Sequence, residues 1–205
     1  AVAIDDSHYA RLYVVIRDIK QFNDEVLKQI KADVIEVVTT WEDRLEMALT
    51  DRLGQEESLR LMTKFKNAFP VVYREDVSPW VASFDVENSD KLQSEEDLEM
   101  SLYAPRLKRQ GDFRFKIFRY NNTIPLSEVL PDLENLGLHV VSERPYEWTM
   151  KDGQNIWVQD FDLSLASGKG LELDLVKARF HEAFDRVASG DLESDPLNKL
   201  VILGG

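Results

Sequence analysis

Apolar side chains along the first half of the chain recur at two different spacings. In residues 11–17 (RLYVVIR) they occupy both alternating faces, which predicts a strand that is covered on both sides. Over residues 23–53 they recur every three or four positions, which predicts a long helix that ends at Gly54. We expect a kink near residues 37–40, because β-branched residues cluster there.

Two further helices are predicted before the middle of the chain. One spans residues 56–69 and stops at Pro70. The other begins with Ser78 as its N-cap and Pro79 in its first helical position. The acidic residues 94–97 then separate this helical block from a second half with a different pattern.

Strand patterns dominate the start of that second half. Residues 100–103 resemble a short strand, and residues 113–117 alternate apolar with basic side chains. The alternation predicts a strand with one face on a core and with Arg114 and Lys116 on a face in water. Because the surrounding sequence is acidic, we interpret this basic face as a candidate contact surface, either self-complementary or between domains.

A helix and a hairpin are predicted next. The helix over residues 125–136 is expected to end at Gly137, with Pro131 in or near its first turn, where a missing N–H costs least. A strand follows over residues 138–142, and Asp152-Gly153 marks the turn of a hairpin.

A last helix over residues 171–188 completes the order, which contains β-α-β-β-α-β when the helical block counts as one helix. This order predicts an α+β fold of the ferredoxin-like type, with an antiparallel sheet, a large helical insertion after the first strand and a C-terminal helix. The sequence therefore predicts three segments. They are a flexible N-terminus at 1–9, one domain at 10–165 with the helical insertion at about 22–92, and a C-terminal helix and linker at 166–205.

Composition and charge narrow the class of partner. Apolar residues make up 43% of the chain, and no apolar run approaches the roughly 18 residues of a membrane span. The net charge of −13 repels phosphate backbones, so we expect no nucleic acid and no membrane as partner. Cysteine does not occur, which excludes disulfides and thiolate chemistry. A cytoplasmic protein is the simplest expectation.

Candidate catalytic and metal-binding residues are not apparent. No G-x-G-x-x-G motif occurs, and residues 167–170 (SGKG) lack the flanking residues of a phosphate loop. His8, His139 and His181 have no partner at a spacing typical of a metal site. We therefore predict no catalytic, cofactor-binding or metal-binding residue in this chain. Trp80, in the first turn of a predicted helix, is a candidate docking residue.

Five stretches resemble, in order, the N-terminal, non-catalytic half of the large bacterial NAD-specific glutamate dehydrogenases. They are residues 32–49, 67–79, 95–103, 123–148 and 178–201. The resemblance implies an ACT-type regulatory domain of ferredoxin-like topology. It also implies that NAD and the catalytic residues belong to a later domain of a parent enzyme, which deaminates L-glutamate oxidatively to 2-oxoglutarate and ammonia.

The resemblance implies a regulatory or assembly segment that is not itself an enzyme and whose partners are other domains and subunits of the same oligomeric enzyme. The alternative is an ACT-type sensor that binds an amino-acid effector. The candidate effector loop is then Asp18, Ile19, Lys20, Gln21 and Phe22. This loop departs from better-known ligand-binding ACT modules because it contains no glycine.

Overall fold

A computed structural model describes the chain in five stretches: residues 2–4, 10–12, 23–104, 112–165 and 173–200. The chain divides into two compact units, Ala1–Thr40 and Trp41–Gly205.

The described residues of the first unit form a strand pair and one helix. Strands β1 (Val2–Ile4) and β2 (Ala10–Leu12) pair antiparallel. Helix α1 (Asp24–Val38) begins where the Asn23 side chain accepts a hydrogen bond from the Val26 N–H at 2.9 Å. The helix ends at the β-branched run where a kink was expected, so the predicted long helix is two separate helices.

Four helices form the first part of the second unit. They are α2 (Trp41–Leu53), α3 (Gln55–Phe65), α4 (Val71–Asp76) and α5 (Pro79–Lys91). Gly54 separates α2 from α3 with a φ of 88°, a left-handed conformation that favours glycine. Ser78 caps α5 by accepting a hydrogen bond from the Val81 N–H, as the Ser-Pro pair predicted.

The connection between α3 and α4 differs from the expectation. Helix α3 ends at Phe65 rather than near residue 69, because Asn67 adopts a φ of 63°. Pro70 then starts α4, and its carbonyl accepts the Arg74 N–H at 3.2 Å. Sequence patterns indicated only that Pro70 stops a helix, so the one-and-a-half-turn helix after it was missed.

A four-stranded antiparallel sheet follows these helices in the second unit. Its strands are β3 (Glu99–Tyr103), β4 (Asp112–Tyr120), β5 (Leu138–Thr149) and β6 (Asn155–Leu165), in the spatial order β3-β4-β6-β5. Helix α6 (Leu126–Asn135) connects β4 to β5, and α7 (Leu173–Ala188) follows the sheet. The predicted α+β class, with an antiparallel sheet preceded by a helical block and followed by a helix, is confirmed.

The origin of the sheet strands differs from the expectation in one respect. The described part of the predicted first strand, residues 11–12, belongs to β2, which pairs with β1 and is not part of the four-stranded sheet, whose strands all lie within residues 99–165. Residues 13–17 lie outside the described part of the chain. Within the sheet, β4, α6 and β5 form a crossover that leaves room for β6 between the two strands.

Both faces of the four-stranded sheet are covered by helices. One face packs against the helical block α2–α5. The core between them includes Leu49, Phe65 and Tyr73 of the helices and Phe118 and Trp148 of the sheet. The other face packs against α6 and α7 through the residues Phe115, Leu133, Phe161, Phe180 and Phe184. The alternation of side chains along β4 supplies both cores, because odd-numbered residues face α6 and α7 while Phe118 and Tyr120 face the helical block.

For helix α6, the expected position of Pro131 was wrong and the expected helix end at Gly137 is confirmed. Pro131 lies in the middle of α6 rather than in its first turn, so its ring removes a hydrogen bond inside the helix. Gly137, just after the helix, has a φ of 83° as its position at the helix end predicted.

We expect Gly137→Ala to lower the free energy of unfolding by about 1–2 kcal/mol. A methyl group there is strained by the positive φ and also meets the Cβ of Lys199 at 3.1 Å. Gly153→Ala is the matched control, since Gly153 has a φ of 84° but no neighbouring atom within 4 Å. Urea unfolding should show a larger loss for Gly137→Ala. Equal losses would show that the contact with Lys199 contributes nothing.

Candidate functional site

A cluster of charged side chains is buried where helix α5 meets the sheet. Lys116 on β4 is fully buried, and Arg114 on the same face is 15% exposed at its side chain. The prediction that these two residues face water was therefore wrong. The physical reason is that α5 covers this face of β4 and supplies a carboxylate, that of Asp85.

Lys116 connects the helical block to the sheet. Its ammonium donates a hydrogen bond to Asp85 on α5 and lies 3.8 Å from a carboxylate oxygen of Asp160 on β6. The Tyr73 hydroxyl of α4 donates to the same carboxylate of Asp85 at 2.6 Å. Desolvation alone would lower the pKa of Lys116, but the attraction of Asp85 and Asp160 outweighs it and raises that pKa above its ordinary value.

Arg114 connects the strands of the sheet to one another. Its guanidinium binds both carboxylate oxygens of Asp160, with Nε at 2.9 Å, and lies 3.3 Å from Asp162. The Ser142 hydroxyl of β5 donates to Asp162 at 2.9 Å. Desolvation opposes the charged guanidinium, yet the hydrogen bond and charge of Asp160 prevail and raise the pKa of Arg114.

The charges of the ionic cluster are offset within the protein, because Asp85, Arg114, Lys116 and Asp160 contact one another. Across the described stretches, no group of three or more His, Asp or Glu side chains is arranged to hold a metal ion. His181, whose pKa is lowered by partial burial and by Lys177 and Lys91, has no such partners among these residues.

A cavity of about 680 Å³ lies beside this cluster. One wall is the connection between α4 and α5 with the first turns of α5, including Trp80 and Phe84. Strands β3 and β4 contribute Tyr103 and Arg114 to its lining, and α7 contributes Lys177. The cavity therefore lies where the helical block, the sheet and the last helix meet.

Other predicted features fall outside the description. The candidate effector loop, Asp18, Ile19, Lys20, Gln21 and Phe22, lies outside the described residues, so the effector-sensor alternative stays a prediction. Residues 167–170 and His8 also lie outside the described residues. No helix in the described part of the chain combines the length and apolar character that crossing a membrane requires.

Sequence reasoning missed Asp85 and Asp160, which complete the buried cluster. A signal for Asp85 was present: it lies on the same helical face as Ala82, Val86 and Ser89, all of which are buried. A carboxylate at a position of the buried face indicates a buried cationic partner, because an unpaired buried charge is costly. Asp160 carries no comparable signal, since strands alternate and either face can be exposed.

Comparisons with known proteins identify both parts of the second unit. A family model for helical motif 2 of glutamate dehydrogenase matches residues 48–92, and one for the ACT3 domain of glutamate dehydrogenase matches residues 97–176. The first range covers most of the helical block, and the second covers the sheet with α6 and the start of α7. The ionic cluster therefore joins two segments that family models treat separately.

Full-length relatives agree with these matches. NAD-specific glutamate dehydrogenases of Halomonas elongata and Pseudomonas aeruginosa are 33% and 30% identical over 97% and 96% of this chain. The same enzyme of Mycobacterium tuberculosis is 29% identical over 86% of the chain. The chain spans only 12% of the length of the first two relatives. The resemblance noted in the sequence is confirmed: the chain belongs to the NAD-specific glutamate dehydrogenase family, as a segment that carries helical motif 2 and the ACT3 domain.

Proposed function

We propose that this chain is a non-catalytic regulatory and assembly segment of a cytoplasmic, oligomeric, NAD-dependent glutamate dehydrogenase. The parent enzyme deaminates L-glutamate oxidatively to 2-oxoglutarate and ammonia, and its NAD site and catalytic residues belong to other domains. The partners of the segment are those domains and other subunits of the same enzyme. The family membership and the small share of the relatives' length support this proposal.

The observation that carries the proposal is where apolar side chains remain exposed. Both faces of the sheet are covered by helices, although Val141 on β5 is 65% exposed. Helices α2, α3 and α4 also expose apolar residues, namely Met47, Leu59, Val71 and Val72, whose exposed fractions are 58–64%. Such residues on a helical block of a much larger enzyme are suited to packing against neighbouring domains or subunits.

The proposal is tested in the full-length dehydrogenase with the single variants Met47→Glu, Leu59→Glu and Val72→Glu. A carboxylate buried in a contact without a partner weakens it, so we expect at least one variant to change oligomer mass or glutamate saturation. Turnover at saturating glutamate should persist. Gln55→Glu, also on an exposed helical position, is the control for an added charge. Light scattering and steady-state kinetics provide the two readouts.

Two results would count against the proposal. Unchanged oligomer mass and glutamate saturation in all three variants would remove the evidence for a contact through these helices. If deletion of residues 10–165 from the intact enzyme also left both properties unchanged, the regulatory and assembly roles would both be wrong.

A further inference from the structure

Two aromatic side chains at the cavity are unusually exposed for their size. Trp80 is 46% exposed and Phe84 is 40% exposed, and their rings meet edge to face with centroids 5.8 Å apart. Both line the cavity beside α5. The guanidinium of Arg52 lies 3.4 Å from the Phe84 ring centroid and so fixes one side of that ring. The pair forms an apolar wall of the cavity and belongs to neither of the two core clusters.

The charged groups of the cavity differ in whether they have ion-pair or hydrogen-bond partners within the protein. Arg114 binds Asp160 and Asp162, and Asp85 binds Lys116, so these charges are offset within the protein. Asp76 accepts a hydrogen bond from the Tyr146 hydroxyl at 2.9 Å. Lys177 is exposed and has no ion pair among the residues that the structure describes. It is therefore the cavity's available cation for a ligand.

Size and lining are those of a small-molecule site. Sites for small molecules commonly enclose about 300–1,000 Å³ and combine apolar walls with a few polar groups that orient the ligand. This cavity has about 680 Å³, with Val81, Trp80 and Phe84 as apolar walls. A compact ring with one charged substituent fits that combination better than a long or highly charged molecule.

We propose that the cavity binds a small carboxylate with an apolar, preferably aromatic, body. The carboxylate lies at the Lys177 ammonium, and the body packs against Trp80, Phe84 and Val81. This inference goes beyond the proposed function, because packing against other domains requires no ligand. Asp85 and Arg114 both line the cavity and belong to the buried ionic cluster. A bound ligand therefore stabilises the junction between the helices and the sheet by mass action.

The test is an NMR titration of the 205-residue chain that follows the indole N–H signals of its tryptophans. Trp80→Phe identifies the signal of Trp80 while it preserves an aromatic wall. Phenylacetate should shift that signal with a dissociation constant of about 1 mM, as expected for so few atoms. Phenylacetamide has the same body without the charge and should bind about tenfold more weakly.

Lys177→Met distinguishes the proposed contact between the carboxylate and Lys177 from nonspecific binding to the apolar wall. It should reduce phenylacetate affinity about tenfold and leave phenylacetamide unchanged. Lys66→Met, another exposed lysine that does not line the cavity, is the control and should bind phenylacetate as the parent chain does. L-Phenylalanine adds an ammonium group. Tighter binding than phenylacetate would assign that ammonium to Asp76, and weaker binding would assign the site to simple carboxylates.

The proposal is overturned if neither phenylacetate nor L-phenylalanine gives a saturable shift of the Trp80 signal. It is equally overturned if Lys177→Met binds phenylacetate as tightly as the parent chain. Either failure leaves the packing role intact, because that role is measured by oligomer mass and glutamate saturation in the full-length enzyme.

Discussion

Lys116→Met should lower the free energy of unfolding by about 3–5 kcal/mol, the usual cost of removing one partner from a buried ion pair. The side chain is fully buried, and methionine fills nearly the same volume. The variant loses the positive charge that offsets the carboxylate of Asp85 on α5 and part of the negative charge of Asp160 on β6. Urea unfolding followed by far-UV circular dichroism measures the difference.

Two further variants isolate the cause of that loss. Lys91→Met removes a partly exposed lysine that lies 3.7 Å from Glu99, and it should cost at most about 1 kcal/mol. Adding Asp85→Asn to Lys116→Met removes the stranded charge while the amide oxygen still accepts the Tyr73 hydroxyl. The double variant should therefore be less destabilised than the sum of the single variants, by about 1 kcal/mol or more. Strict additivity would show that Lys116 and Asp85 do not interact.

Trp148→Ala should lower the free energy of unfolding by about 3–5 kcal/mol, as truncation of large aromatic residues in cores does. Trp148 is fully buried on β5, and its ring centroid lies 4.9 Å from those of Phe69 and Tyr73. Phe65 of α3 meets it edge to face at 6.1 Å. The variant therefore opens a void at the centre of the contact between the helical block and the sheet.

Two tryptophan variants serve as controls for that result. Trp80→Ala should change stability by less than about 1 kcal/mol, because Trp80 is half-exposed. Trp148→Phe should cost less than Trp148→Ala, since the indole Nε1 has no hydrogen-bond partner within the described residues and its loss breaks no bond there. A Trp148→Ala loss similar to that of Trp80→Ala would contradict the structure of this core.

Local patterns predicted much of the fold because the signals they carry are local. The Ser78-Pro79 pair predicted the start of α5, and Asp152-Gly153 predicted the hairpin of β5 and β6, where Gly153 has a φ of 84°. Gly54 and Gly137 marked helix ends correctly. Each of these features depends on the conformational preferences of one or two residues and not on a distant partner.

The candidate site could not be predicted in the same way. The period of β4 placed Arg114 and Lys116 together on one face, but it did not show that this face is covered. That depends on Asp85, which lies 31 residues before Lys116, and on Asp160, 46 residues after Arg114. Tertiary contacts of this kind decide whether a polar face is a solvent surface or a buried ion pair.

Trp41 illustrates an intermediate case. The spacing of apolar residues over residues 23–53 places Trp41 on the buried face of one long helix, together with Val34 and Val37. In the structure, Trp41 starts the separate helix α2 and is partly buried against Phe69 and Tyr73. Its indole N–H donates to the Val77 carbonyl at 2.9 Å. The apolar period identified a packing residue, but a break in the helix changed what it packs against.

The core between the helices and the sheet also determines when this protein can fold during its synthesis on the ribosome. Helices α2–α5 are synthesised before the sheet, yet their apolar face packs against Tyr146, Trp148 and Val158, which lie more than fifty positions after residue 91. The apolar face of the nascent helices therefore stays uncovered until the hairpin of β5 and β6 has been synthesised. This interval is when the growing chain most needs protection from aggregation, and chaperones that bind apolar segments are suited to provide it.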